Sequence, residues 1–238
     1  MSQQMGYFIG FVDIHGGVGS PAFEAHWPDY EAGAGPAVDG AGGVLLAVDD
    51  APRTLEGAPP DHRRIVLAAY PSASAARAMV DSPAYQAAAE HRRAASESDV
   101  VVVSGLPDAA PGAGAAPASA RRCYHIVLLK LASQALYDEH WTTYEDQATA
   151  AVVEHGGHVL AVDSAPLVME GQVEELWRIV IVEYPSAEHA RAMYDSQVYQ
   201  DAAVYRRKAS SCIFLQVEGQ PLEAAEVPPL PAPQPARM

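Results

Sequence analysis

The pattern of apolar and polar positions predicts the same series of strands and helices twice along the chain. Short apolar runs rich in β-forming residues predict four strands in each half. Apolar residues at spacings of three and four predict the helices between them, as with Trp141, Tyr144 and Ala148. Gly42-Gly43 and Gly156-Gly157 are expected to end the first helix of each half. The predicted strands are residues 7–14, 44–48, 64–70, 100–103, 124–131, 159–162, 178–184 and 213–217.

An internal repeat relates the two halves. Residues 26–105 align without a gap with residues 140–219, and about half of the 80 pairs are identical. The order strand, helix, strand, strand, helix, strand is that of the ferredoxin-like βαββαβ unit. Such a unit leaves one apolar sheet face open, and that face must be buried. We therefore predict an α+β fold in which two repeats pack sheet to sheet as an intramolecular, pseudo-dimeric barrel with a cavity between the sheets.

The predicted domains follow from this repeat. The first repeat spans residues 5–106 and the second spans residues 122–219. Residues 107–121 are rich in Ala, Gly and Pro, which predicts a linker, and residues 220–238 form a proline-rich tail. The only two cysteines, Cys123 and Cys212, begin strands predicted to be antiparallel neighbours, so they should lie at opposite ends as free thiols.

Charge and hydropathy restrict the partners. The formal net charge of −15 argues against nucleic acid and anionic membranes, because nothing offsets the repulsion of phosphate groups. No apolar run approaches the roughly 20 residues needed to cross a bilayer. The first residues carry no basic segment ahead of the apolar stretch, which does not fit a secretory signal peptide. A cytoplasmic protein is therefore expected, and a homodimer of the whole chain stays open.

Motifs in the second repeat resemble a known family. The runs Arg178–Ser186 and Ala190–Tyr199, the pair Arg206-Arg207 and the closing Glu218-Gly219 are similar to the bacterial family called domain of unknown function 1330. That family belongs to the dimeric α+β barrel superfamily, so the resemblance implies the fold predicted above. The superfamily includes polyketide cyclases, muconolactone isomerases, cofactor-independent monooxygenases and haem-degrading enzymes, and also ligand-sensing domains. The resemblance implies no particular set of catalytic residues.

Polar residues found in only one repeat are the candidates for chemistry. Glu183 stands where the first repeat has Ala69, and a carboxylate in an apolar pocket could act as a general acid or base. The alternative is that Glu183 forms a structural ion pair with an arginine at the end of its strand. Histidines on strands could transfer protons in the same pocket. The predicted catalytic residues are Glu183, His125, His158 and Tyr194.

Strand alternation suggests which other side chains reach the cavity between the sheets. On the third strand of the second repeat, Trp177, Ile181 and Glu183 share one face. On the fourth strand we expect the helices to cover the aliphatic face, which directs Phe214 and Gln216 to the cavity. The predicted substrate-binding residues are Trp177, Phe214, Gln216, Ile181 and, from the first repeat, Arg63.

These features favour a small-molecule protein that needs no cofactor. Glu154, His155 and His158 match no established zinc spacing, and no phosphate-binding glycine loop is present, so neither metal nor cofactor is predicted. The hypothesis is a cofactor-independent enzyme that isomerises or cyclises a small apolar or aromatic metabolite by acid–base chemistry, as in specialised metabolism. The alternatives are a non-catalytic ligand-binding protein, a cofactor-free monooxygenase, or an interaction module that uses the proline-rich tail.

Overall fold

Each half of the chain forms one antiparallel sheet with helices on one face. The computed structural model describes residues 4–58, 64–112, 121–171, 173 and 178–221, so most of the predicted linker and tail lie outside the described residues. The strands are β1 (Gln4–Ile14), β2 (Val44–Asp49), β3 (Arg53–Glu56), β4 (Arg64–Tyr70), β5 (Ser96–Pro107), β6 (Arg121–Leu131), β7 (His158–Asp163), β8 (Leu167–Glu170), β9 (Arg178–Tyr184) and β10 (Ser210–Pro221). The helices are α1 (Pro21–Gly40), α2 (Ala73–Asp81), α3 (Pro83–Ala95), α4 (Gln134–Glu154), α5 (Ala187–Asp195) and α6 (Gln197–Ala209).

Serine caps and glycines set the helix boundaries. The Ser82 hydroxyl accepts a hydrogen bond from the Tyr85 N–H at 3.2 Å, and Ser196 does the same for Tyr199. These caps separate α2 from α3 and α5 from α6. After α1 and α4 the chain turns through a glycine with positive φ, +69° at Gly42, a conformation that side chains other than glycine rarely adopt.

The two sheets exchange a strand, which the sequence pattern did not predict. The strand order is β2-β4-β1-β5-β8 in one sheet and β3-β10-β6-β9-β7 in the other. The short β3 of the first repeat therefore pairs with β10 of the second, and β8 of the second pairs with β5 of the first. The predicted fold class of two packed α+β repeats is confirmed, and each repeat in addition lends one strand to its neighbour.

Buried arginines hold the exchanged strands in place. The Arg206 guanidinium donates to Glu56 Oε1 at 2.6 Å and Arg207 donates to the same oxygen at 2.9 Å. In the mirrored arrangement Arg92 donates to Glu170 at 2.7 Å. Partial burial would raise the pKa of Glu56, but the hydrogen bonds from Arg207 and Arg206 outweigh it and lower the pKa to about 2. The carboxylate at the end of each exchanged strand is thus held by the other repeat.

A glycine follows each of these carboxylates for a steric reason. Gly57 has a φ of +81°, and a Cβ added there would lie 2.4 Å from the carbonyl oxygen of Cys212. Gly171 has a φ of +87° and the same close approach to the other repeat. The equivalent pairs Glu56-Gly57 and Glu170-Gly171 therefore mark the ends of the exchanged strands.

Aliphatic and tyrosine side chains fill the described space between the sheets. Ile9, Leu67 and Val101 from the first sheet are fully buried in one cluster with Ile181 and Val217 from the second. Side-chain carboxylates link the sheet margins across this core, where Asp163 accepts the Ser104 N–H at 2.7 Å and Asp49 accepts the Glu218 N–H at 2.8 Å. The inter-sheet core and these two bridges join the repeats into one packed unit.

The predicted state of the cysteines is confirmed. Cys123 and Cys212 are free, and they lie at opposite ends of the paired strands β6 and β10, opposite Glu218 and Leu129 respectively.

We expect Glu56→Gln to lower the free energy of unfolding by about 1.5 to 3 kcal/mol, the usual contribution of a hydrogen bond to a charged group, because buried Arg206 loses its anionic partner. Urea denaturation measures the change. The matched control is Arg77→Ala, which removes an exposed ion pair with Asp81 and should cost less than about 0.5 kcal/mol. Equal effects of the two substitutions would show that the exchanged strand does not depend on this ion pair.

Candidate functional site

Glu183 is the penultimate residue of β9, and its side chain lies on the face of the second sheet that meets the first sheet. Its carboxylate accepts several hydrogen bonds. The Arg122 Nη1 group is 3.2 Å from its Oε2, and the Tyr124 hydroxyl donates to its Oε1 at 3.2 Å. The Gly112 N–H donates to both oxygens, at 3.1 Å and 2.9 Å. Arg122 in turn donates to the Gly112 carbonyl at 3.3 Å. The carboxylate therefore fastens the beginning of the linker to the second sheet.

The ion pair between Glu183 and Arg122 is buried and occurs in one repeat only. The side chains are 1 % and 6 % exposed, and the first repeat has Ala69 and Met5 at the equivalent positions. Burial raises the pKa of the Glu183 carboxyl, while Arg122, the Gly112 N–H and the Tyr124 hydroxyl act to lower it. This is the structural ion pair considered as the alternative to a catalytic role.

Of the predicted catalytic residues, Glu183 and His158 are brought together. His158 on β7 is the direct partner of Glu183 on β9, so the two side chains share a sheet face. The histidine also acts to lower the pKa of Glu183, though less than the hydrogen-bonding partners do, and burial outweighs all of these contributions. The buried His158 Nε2 has no hydrogen-bonding partner in the described part of the chain.

His125 lies in a different place, between the second sheet and its helices. It lines a cavity of about 90 Å³ enclosed by β6, β9, β10, α4, α5 and α6. The His125 side chain is 0 % exposed, and neither ring nitrogen has a hydrogen-bonding partner among the described residues. A neutral imidazole always carries one N–H and one acceptor nitrogen, so this group requires a partner from outside the described protein atoms.

Aromatic rings surround His125 on the other sides. The rings of Tyr184 and Phe214 meet it edge to face, with centroid distances of 4.7 Å and 4.8 Å. Trp141 forms the helix side of the cavity, and the Arg178 guanidinium lies 5.2 Å from its ring centroid. Burial lowers the pKa of His125 to about 3, because these apolar walls disfavour the imidazolium ion. The imidazole is therefore neutral at physiological pH.

Tyr194 reaches neither of these places. Its hydroxyl donates to the Glu56 carboxylate at 3.1 Å and to the Leu55 carbonyl at 3.2 Å, both on the exchanged strand β3. Burial and the neighbouring Glu56 carboxylate raise the pKa of Tyr194. Its ring packs on Phe214, which separates it from His125. The four predicted catalytic residues thus occupy three separate locations.

The predicted orientation of Phe214 and Gln216 is wrong. Both point toward the helices, Phe214 in the core beneath α4 and α6 and Gln216 in a groove beside α5, while Leu215 and Val217 face the other sheet. The reason is that paired residues of adjacent strands share a face: Phe214 pairs with Val127, which packs against the helices, and Leu215 pairs with Ile126, which packs against the other sheet. Ile181 does face the inter-sheet core, as predicted.

Other sequence expectations have mixed outcomes. Trp177 and Arg63 lie outside the described residues. Sequence reasoning missed Arg122 as the partner of Glu183, and its only signal was an arginine where the first repeat has Met5.

In the described ranges no group of three or more His, Cys, Asp or Glu side chains could hold a metal ion. Among the described helices none is both long and apolar enough to cross a membrane.

Two repeats packed sheet to sheet, with helices on the outer faces, define the dimeric α+β barrel class of proteins. The family model described as Domain of unknown function (DUF1330) matches residues 6–106 and again residues 122–220. The chain therefore belongs to this family and contains two copies of its domain. No protein with a curated description matches the chain.

Solved structures share the fold at low sequence identity. A candidate monooxygenase from Fusobacterium nucleatum is 10% identical, with 93% of this chain and 94% of that chain covered and a TM-score of 0.53. A variant of chlorite dismutase from Candidatus Nitrospira defluvii is 12% identical, with 95% of each chain covered and a TM-score of 0.53. An anthrone oxidase-like protein is 13% identical, with 91% and 93% covered and a TM-score of 0.51. At these identities the likeness shows the fold alone.

Replacing Glu183 by the alanine of the first repeat should lower the free energy of unfolding by about 3 to 5 kcal/mol, because Arg122 stays buried without its counterion. Adding Arg122→Met completes the apolar pair that the first repeat already packs, so most of the loss should be recovered. Chemical denaturation of the wild type, both single variants and the double variant measures the coupling. A double variant as unstable as Glu183→Ala would contradict a structural ion pair.

The low pKa of His125 predicts a pH dependence of stability. The folded pKa of about 3 lies below the ordinary value of 6.5, so between these values the unfolded state binds more protons. The contribution of the neutral imidazole is complete above pH 6.5 and is lost as the pH falls toward 3, by at most about 1.4 kcal/mol per pH unit. His125→Phe should flatten the stability profile measured by urea denaturation between pH 7 and pH 4. Parallel profiles for the two proteins would exclude a buried neutral His125.

Proposed function

We propose that the second repeat binds a small, largely apolar molecule in the cavity between its sheet and helices, with His125 as the group that hydrogen-bonds it. The observation that carries this proposal is a fully buried imidazole whose two nitrogens lack a partner among the described residues. Burying such a group costs about 1 to 3 kcal/mol unless something satisfies it. A ligand with one polar group would supply that missing hydrogen bond.

The size and walls of the cavity indicate the class of ligand. Its volume of about 90 Å³ is smaller than the roughly 150 Å³ cavity that accepts a benzene molecule. A ligand of about five non-hydrogen atoms therefore fits without rearrangement. Apart from His125, the walls are mostly aliphatic and aromatic, with Trp141, Tyr184 and Phe214 supplying ring edges and faces. The ligand is thus a compact apolar or aromatic molecule with a single donor or acceptor.

Binding accounts for this site better than acid–base catalysis does. A general base is most effective when its pKa lies near the working pH, and burial lowers the pKa of His125 to about 3. Glu183 lies on the other face of the sheet and already accepts hydrogen bonds from Arg122, Tyr124 and Gly112. The isomerase, cyclase and monooxygenase activities suggested by the fold would require a proton acceptor that neither residue readily provides. We therefore favour the ligand-binding role over the enzymatic one.

Pyrrole and cyclopentane test the role of His125, because the two molecules have similar shapes and only pyrrole carries a hydrogen-bonding N–H. The wild-type protein should bind pyrrole at least about fivefold more tightly, which corresponds to one net hydrogen bond of about 1 kcal/mol. His125→Phe should lose this preference while it retains cyclopentane. NMR titration gives both dissociation constants.

The first repeat supplies the matched control. Its equivalent residue is Phe8, so phenylalanine is already accommodated at this position of the sheet. His125→Phe should remain folded and should raise the free energy of unfolding by about 1 to 3 kcal/mol, since an unsatisfied buried imidazole is removed. An unchanged preference for pyrrole in this variant would contradict the proposal. Chemical conversion of a bound molecule that depends on His125 would replace it with the enzymatic alternative.

A further inference from the structure

A second, larger cavity lies at the equivalent place in the first repeat. It is bounded by the first sheet, α1, Met79 of α2 and Tyr85 of α3, and its volume is about 290 Å³, roughly three times that of the cavity beside His125. Its lining includes the aromatic rings of Phe8, Trp27, Tyr30, Tyr70 and Tyr85. None of the candidate catalytic residues predicted from the sequence lies in it.

Small residues in the first repeat account for the larger volume. Ala68 stands where the second repeat has Val182, and Gly35 stands where it has Thr149. A Cβ added at Gly35 would meet no atom within 4 Å, so this position opens onto free space. The two cavities therefore differ in size because of side chains that line them.

The walls of the larger cavity suit a flat aromatic molecule. Trp27 is held in place by a hydrogen bond from its Nε1 to Glu31 at 2.9 Å and by the Arg64 guanidinium, 4.8 Å from its ring centroid. Fixed aromatic walls favour edge-to-face and offset-stacked contacts with a ligand ring. The hydroxyls of Tyr70 and Tyr85 are buried and have no hydrogen-bonding partner in the described part of the chain, so either can pair with a polar group of a ligand.

The helix wall over this cavity is weakened next to the open position. Pro36 lies inside α1 and cannot donate the backbone hydrogen bond that continues a helix, and Gly35 directly precedes it. Glycine adds a further penalty of about 1 kcal/mol relative to alanine. The equivalent residues of α4 are Thr149 and Ala150, which carry neither penalty. The last turns of α1 are therefore less stabilised by backbone hydrogen bonds and helix propensity than those of α4.

We infer that the first repeat holds a second binding site, for a flat molecule of two fused aromatic rings with one polar group, which enters beside Gly35 and Pro36. The volume is about twice the roughly 150 Å³ that accommodates a single benzene ring. This site is independent of the function proposed for His125, because the two cavities lie in different repeats and share no lining residue.

The test uses 2-naphthol as the probe and calorimetric titration of the full chain. We expect one binding event in the wild type and at least a tenfold loss of affinity in the double variant Gly35→Thr/Ala68→Val, which carries the residues of the smaller cavity. His125→Phe is the control and should leave 2-naphthol binding unchanged. Pro36→Ala should slow association at least threefold in stopped-flow measurements, because it restores a backbone hydrogen-bond donor in α1 and stabilises the helix beside the entrance.

A second measurement avoids any dependence on variant folding. The chain has three tryptophans, and 2-naphthol should shift the indole N–H resonance of Trp27 in the wild-type NMR spectrum while that of Trp141 stays in place. The inference is overturned if 2-naphthol does not bind, if binding survives the double variant, or if Trp141 shifts instead. Loss of pyrrole binding in His125→Phe bears only on the function proposed for the second repeat.

Discussion

The fold depends on the exchange of two short strands that are held by arginine–glutamate pairs. Both β3 and β8 are edge strands whose one neighbour belongs to the other repeat, and each is only four residues long. An ion pair between Glu56 and Arg206 holds β3 in position, and one between Glu170 and Arg92 holds β8. Each pair combines a nearly fully buried guanidinium with a carboxylate from the other repeat, so the two repeats are joined by charge as well as by the apolar core between the sheets.

Much of the fold could be predicted from the sequence, because the βαββαβ order depends on local periodicity. The exchanged strands could not, since β3 pairs with a strand about 160 residues away, β8 pairs with one about 65 to 70 residues away, and a four-residue segment carries almost no periodicity. The signal was present in the conserved spacing between repeats, where both copies contain Glu-Gly and both contain paired arginines. The partners of those arginines could be identified only from the arrangement of the two sheets.

The burial of the candidate residues was easier to predict than their location. Comparison of the repeats singled out His125 and Glu183, and both side chains are buried, on opposite faces of the second sheet. The error concerned the fourth strand, where the aliphatic face was assigned to the helices and Phe214 to the inter-sheet space. Alternation alone shows which residues share a face, but not which face meets a helix. Strand pairing decides that question here, because β10 takes the same faces as β6, whose Val127 packs against the helices and whose Ile126 packs against the other sheet.

Covalent fusion changes how these repeats can vary and how they stay together. In a symmetric dimer every substitution appears in both subunits, whereas here Arg122 and Glu183 could form an ion pair in one repeat while Met5 and Ala69 remained apolar in the other. The two halves also belong to a single chain, so their association does not depend on the protein concentration. At the low concentrations of a cell or an assay, dilution that would separate two subunits leaves this pair of repeats intact.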